Sequence, residues 1–118
     1  MSELGNLELA KTIRLLKSKA NEHEASIWEA LAKKLERSRS RRCTVNLSRI
    51  NRYSEEGETL TVPGKVLGAG KLNHKISVAA FSFSEEAKRK IEAAGGECLT
   101  FAALIKKNPK GKDLRIVG

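Results

Sequence analysis

Aromatic residues are scarce in this 118-residue chain, where one Trp, one Tyr and three Phe amount to 4%. That shortage rules out a core of packed rings and leaves Leu, Ile, Val and Ala to supply the burial. Cysteine is scarcer. Cys43 and Cys98 are too few and too far apart for a disulfide framework, and without a second pair they make no zinc site. Both are expected to be small packing residues in a reducing cytoplasm. Long apolar runs are absent as well. Nothing approaches the ~18 residues that span a bilayer, and the opening MSELGNLELAKTI lacks the charged start and unbroken apolar stretch of a signal peptide. These features predict a soluble cytoplasmic protein without a membrane partner. Acidic residues are outnumbered, 14 against 23 Lys and Arg, so the formal net charge is +9. An excess of that size favours a polyanionic partner without saying which one.

The positive charge is local. Residues 33 to 52 hold eight cations, Lys33, Lys34, Arg37, Arg39, Arg41, Arg42, Arg49 and Arg52, against Glu36 alone, a net of +7. Within them SRSRR, at 38 to 42, sets planar guanidinium groups beside small hydroxyls in a segment with no apolar period. Arginine bridges phosphate oxygens with paired hydrogen bonds and stacks on exposed bases, so the run suits folded RNA better than a bare positive charge would. A solvated basic surface that only keeps the protein soluble is the simpler alternative. One-sided charge is self-repulsive, however, and a partner that neutralises it accounts for it better. Tyr53, next to Arg52, is a candidate for stacking on a base and equally for a partly buried core position.

A chain of this length accommodates one ordinary core, so a single domain over 1–118 is expected, with a helical part at 1–37 and a mixed strand and helix core at 38–118. Leu9, Ile13, Leu16 and Ala20 recur at helical spacing and predict an amphipathic helix over 6–20. Ser26 and Glu29 read as a capping box opening a second helix that runs to about residue 37, with Ile27, Leu31 and Leu35 as its stripe beside Trp28. Alternation of Val45, Leu47 and Arg49 with Thr44, Asn46 and Ser48 predicts a strand over 44–50, and 58–62 a second extended segment stopped by Pro63 and Gly64. Ile76 to Phe83, apolar and bounded by polar residues, predicts a central strand buried on both sides. Ser84, Glu85 and Glu86 then open a helix that carries Ala87, Ile91 and Ala94 inward and is closed by Gly95 and Gly96. Thr100 caps a short helix to about 107 that buries Phe101, Leu104 and Ile105, and Leu114 and Ile116 mark a final strand.

The loop from Pro63 to Lys75 contains GKVLGAGK, which invites a nucleotide-binding reading and fails it on spacing. A P-loop needs four residues between its glycines and then Lys followed by Ser or Thr, whereas five separate Gly64 from Gly70 and Leu72 follows Lys71. The dinucleotide pattern fails too, because Asn73 stands where its third glycine belongs. Two readings remain. Gly64, Gly68 and Gly70 let the backbone approach RNA closely while Lys65, Lys71 and Lys75 meet phosphates, or the fold alone demands a glycine turn. His74 beside Lys75 is a further RNA candidate, though an exposed histidine would look the same. His23 and His74 are far apart and lack a neighbouring nucleophile or a matching ligand pair, so they make neither an active site nor a metal site. Glu55, Glu56 and Glu58 read as a solvated turn, and no catalytic residue can be nominated.

The stretch VPGKVLGAGKLNHKISVAAFSFSEEAKRKIEAAGG, at 62 to 96, closely resembles the corresponding part of the archaeal large-subunit ribosomal protein eighteen-e family, related to eukaryotic protein eighteen and bacterial protein fifteen. SRSRRCTVNLSRINRY at 38 to 53 and NPKGKDLRIVG at 108 to 118 are similar to further family segments, with the glycine and proline positions the specific part of the match. The resemblance implies a mixed α/β (α+β) fold, an irregular superhelix of β-β-α units with two N-terminal helices packed alongside. It also implies a structural constituent of the large ribosomal subunit in the cytoplasm. Such a protein binds large-subunit rRNA beside neighbouring ribosomal proteins, without enzyme activity, cofactor, metal or small-molecule substrate. The RNA-binding residues on this reading are the eight cations from Lys33 to Arg52, then Lys65, Lys71, His74 and Lys75. Lys106 and Lys107 depart from the family, whose members often carry acidic residues there, so the basic tail from Lys106 to Lys112 is not assigned to RNA. A free RNA-binding translation or RNA-processing factor would share the same charge logic and stands as the alternative.

Overall fold

The computed structural model describes residues 3–37 and 43–118, with side chains from Leu7 to Arg37 and from Thr44 onward. Arg39, Arg41 and Arg42 therefore lie outside the described residues. Two helices, α1 (Glu3–His23) and α2 (Ser26–Arg37), open the chain. The first runs past residue 20 because nothing in Asn21 to His23 breaks a helix, and it ends where Glu24 turns to a φ of 52°. Ser26 is already the first residue of α2 and not its cap, and Glu29 pairs with Lys33 at 3.8 Å instead of closing a capping box. Trp28 is fully buried beneath α1 and the C-terminal segment, where its indole N–H donates to the Pro109 carbonyl at 2.8 Å.

The order then runs β1 (Cys43–Asn46), α3 (Leu47–Tyr53), β2 (Thr59–Leu67), β3 (Ser77–Phe83), α4 (Glu85–Ala93), β4 (Glu97–Leu99), α5 (Phe101–Lys107) and β5 (Arg115–Ile116). All four strand pairings are parallel. β3 lies between β2 and β4, as a central strand should, while the other edge of β2 is shared by β1 along Gly64–Leu67 and β5 along Leu60–Thr61. Helices cover both faces. On β3, Ala79 and Phe81 face the layer of α1, α2 and α5, packing with Leu16, Leu31 and Phe101. Val78 and Ala80 face the layer of α3 and α4, packing with Ile50 and Ile91. A strand covered on both faces needs apolar side chains at successive positions, which is why Ile76–Phe83 shows no alternation.

Two predicted segments differ. The expected strand over 44–50 stops at Asn46, and Leu47–Tyr53 is helical. Leu47, Ile50 and Ser54 are the buried positions, at intervals of three and four that belong to a helix, and the apparent alternation ran only from Val45 to Leu47. The second difference is at Pro63 and Gly64, which do not end β2 but lie inside it. The register with β3 shifts between Val62 and Lys65, so the chain bulges where proline has no N–H to offer the ladder. The two later helices match their sequence signals. Ser84 accepts from the Ala87 N–H at 3.1 Å and Thr100 from the Ala103 N–H at 3.0 Å, each cap contributing about 1 kcal/mol.

Candidate nucleic-acid interface

Two long stretches of the chain contain no Asp or Glu at all, 37–54 and 59–84. The fold lays them side by side. β1 pairs with the second half of β2, bringing Thr44 opposite Lys65. Beyond the strands, α3 and the loop 68–75 are joined along their length. The Ser48 N–H donates to the Ala69 carbonyl at 3.0 Å, the Asn51 side-chain carbonyl accepts from the Asn73 N–H at 2.9 Å, and Ser54 Oγ lies 2.8 Å from His74 Nε2. Positions 48, 51 and 54 follow one face of α3 and its cap, so Arg49 and Arg52 project elsewhere. Both are exposed, as are Lys65, Lys71 and Lys75, while His74 is half-buried.

Residues outside the sequence-predicted set hold this arrangement. Lys90, on α4, donates from Nζ to the Gly68 carbonyl at 2.7 Å and the Gly70 carbonyl at 2.9 Å, and stands 3.3 Å from Glu86. The far end of the loop is pinned where the Gly57 N–H donates to the Lys75 carbonyl at 2.7 Å. The only sequence signal for Lys90 was a Glu four residues earlier, which looks like an ordinary helix-surface pair.

Gly68 and Gly70 are required by the packing of the fold itself. A Cβ on Gly68 would come within 2.7 Å of the Glu86 side chain. On Gly70, whose φ is 96°, it would come within 2.5 Å of Ser48 Cβ. Both absent side chains make room for the protein itself, and of the two readings left open for these glycines the required turn is the one the packing supports.

The α2 cations Lys33 and Arg37 stand outside this network of contacts. Lys33 and Arg37 are exposed and Lys34 is half-buried near the end of α2, which leads directly into residues 38–42. Among the described residues no hydrogen bond or ion pair ties Lys33 or Arg37 to α3 or the loop. Tyr53 is 52% exposed, which removes the core reading, and the Arg52 guanidinium lies over its ring at 5.8 Å. The Tyr53 carbonyl accepts from Arg115 Nη1 at 2.7 Å.

Elsewhere several charges are matched locally. Lys17 pairs with Glu36 at 2.8 Å, Lys107 with Glu97 at 3.0 Å, and Arg115 with Glu58 at 3.0 Å. Glu58 also accepts from the Glu55 N–H at 2.9 Å, closing the acidic turn on itself. In the basic tail, Lys110 Nζ donates to the His23 carbonyl at 3.2 Å, at the C-terminal end of α1, where a cation suits the helix dipole. Glu22 is held below the usual carboxylate range, first by its hydrogen bond from Lys19. Among the described residues no group of three or more His, Cys, Asp or Glu is placed to hold a metal ion.

A basic domain built on a parallel sheet with helices on both faces is the class that this fold and charge define. Comparison with known proteins makes the class specific: the family described as "Ribosomal protein 60S L18 and 50S L18e" matches residues 5–117. The chain is 49% identical over 112 residues to the "Large ribosomal subunit protein eL18" of Methanothermobacter thermautotrophicus, covering 95% of this chain and 93% of that protein. The protein of the same name from Methanospirillum hungatei is 48% identical over 116 residues, 98% of this chain and 96% of its own length. That of Methanococcus maripaludis is 48% identical over 112 residues, 95% and 93% respectively. The chain belongs to this family of ribosomal proteins, whose members are structural proteins and not enzymes.

Proposed function

We propose that the chain acts as a single domain and a structural constituent of the large ribosomal subunit, in the cytoplasm, where it binds large-subunit rRNA and lies against neighbouring ribosomal proteins. The observation that carries the rRNA reading is the juxtaposition of the two acid-free stretches 37–54 and 59–84, which groups Arg49, Arg52, Lys65, Lys71, His74 and Lys75 on segments that themselves contain no carboxylate. Lys33, Lys34 and Arg37 near the end of α2, and the arginines at 39, 41 and 42 that follow them in sequence, belong to the same reading by their charge. Phosphate contacts dominate, because lysine and arginine side chains on a protein edge neutralise the backbone of RNA without reading its bases. Their work is positioning: positive charge placed where RNA segments converge lowers the repulsion between them.

Replacing Lys71 and Lys75 together by Ala tests the assignment in a filter-binding assay with a large-subunit rRNA transcript over a range of salt. Affinity should fall and the slope of log K against log salt should become shallower by roughly 0.7–0.9 for each phosphate contact removed. An unchanged slope would remove these lysines from the interface.

A further inference from the structure

We infer that His74 does not contact phosphate but accepts a hydrogen bond from a neutral donor on the RNA, and that Ser54 sets it up to do so. The inference rests on the rRNA-binding reading above and deepens it. Ser54 has one hydroxyl proton, and that proton is committed. Its Oγ lies 2.6 Å from the Ile50 carbonyl oxygen, which can only accept. The same Oγ lies 2.8 Å from His74 Nε2, so at that contact the hydroxyl is the acceptor and Nε2 must carry the hydrogen. In the neutral imidazole this places the bare lone pair on Nδ1.

Nδ1 has no hydrogen bond among the described residues, yet no buried side-chain nitrogen or oxygen is left without a partner. Nδ1 is therefore not fully buried, and the residues on either side of His74 are fixed, Asn73 by its N–H bond to Asn51 and Lys75 by its carbonyl bond from the Gly57 N–H. A neutral ring held this way has nothing to donate to a phosphate oxygen. It offers an acceptor in the middle of a surface whose cations, lysine and arginine, are donors only. The complementary groups on RNA are the ribose 2′-hydroxyl, which every nucleotide carries, and the exocyclic amines of the bases. Either one gives this edge a contact that depends on more than charge.

Two measurements test the proposal. The nitrogen-15 shifts of the His74 ring in the free protein should show hydrogen on Nε2, and a ring protonated on Nδ1 alone would overturn it. Interference mapping on a large-subunit rRNA transcript then compares wild type with His74→Ala, the variant's melting temperature serving as the check on its fold. One arm uses randomly incorporated 2′-deoxy nucleotides; the other uses inosine and purine riboside, which lack the amines. The expected result is a loss of affinity of about fivefold in His74→Ala and at least one interference signal, in one arm, that is present with wild type and absent with the variant. Ser54→Ala, which keeps the ring and frees its tautomer, should weaken the same signal. Identical interference maps for wild type and His74→Ala would overturn the inference, as would a shallower salt slope in the variant, which would mean that the ring meets phosphate as a cation. Failure of the wild-type protein to bind the transcript at all would instead overturn the rRNA reading underneath.

Discussion

Replacing Lys90 by Met tests whether the loop 68–75 is held in place by α4. The substitution keeps the length of the side chain and its helix propensity while removing the ammonium that donates to the Gly68 and Gly70 carbonyls at 2.7 and 2.9 Å. The two bonds are not equal in effect. Gly70 is exposed, and its carbonyl takes up water when Lys90 is gone. Gly68 is buried, and its carbonyl loses a charged partner with little water to replace it, a loss of about 1–3 kcal/mol. The ion pair with Glu86 adds little, because Lys90 and Glu86 are 36% and 54% exposed. A total near 2 kcal/mol follows. For 118 residues the unfolding entropy is about 0.25 kcal/mol/K, so the melting temperature should fall by about 8 °C. Circular dichroism melts measure this directly, and binding to an rRNA transcript should weaken with an unchanged salt slope, because the ammonium of Lys90 serves the protein's own backbone. A melting temperature within about 2 °C of wild type would refute the argument that the loop depends on this lysine.

Other substitutions probe other parts of the account. Ala79→Asp puts an unpaired carboxylate into the fully buried centre of β3 and should destabilise by about 4 kcal/mol or more; a soluble variant with a normal melt would contradict the placement of that strand. Gly70→Ala combines a φ of 96° with a Cβ 2.5 Å from Ser48, so a loss of about 3 kcal/mol is expected in denaturant titration. Arg39→Ala with Arg41→Ala should weaken rRNA binding and flatten its salt dependence while leaving the melt unchanged, and collapse of the fold would show that these arginines are not at the surface. Burial, then the Glu92 charge, raise the Cys98 thiol above its ordinary value, with Lys88 opposing. The folded state therefore holds its thiol proton longer than the unfolded one. This contribution to stability is present below the ordinary thiol range and is lost as pH rises through the raised value. In a Cys43→Ser background, iodoacetamide should label native Cys98 at pH 8 more slowly than the urea-unfolded chain, and equal rates would contradict the shift.

The parts of the fold that were legible in the sequence are those where local and tertiary signals agree. Ser84 with Glu85 and Glu86, and Thr100 ahead of Phe101, satisfy helix amides from their own side chains, so their positions needed no knowledge of the sheet. Leu47–Tyr53 looks like strand in the sequence because Val45 and Leu47 are both buried across the junction of β1 and α3, and two buried residues two apart suggest a strand until Ile50 is set beside them. Pro63 and Gly64 predict a stop because in an unbroken ladder they would be one. The bulge against β3 absorbs them, and a bulge is a property of the pairing, not of either strand alone.

The site divides in the same way. Its charges were visible as a run, because arginine and lysine without nearby acid are conspicuous in any order. Its geometry was not visible, since Lys90, Ser48, Asn51 and Ser54 reach the loop across 20 or so residues of chain and carry no signature of doing so. The role of His74 is of this second kind, set by a hydroxyl that is distant in sequence and close in space.

The most direct test of the central claim is cosedimentation of the tagged protein with ribosomal subunits through a sucrose gradient, followed by a high-salt wash. Stoichiometric retention on the large subunit is the predicted result. Protein left at the top of the gradient, or washed off substoichiometrically, would contradict a structural role and point to a free RNA-binding factor built on the same fold.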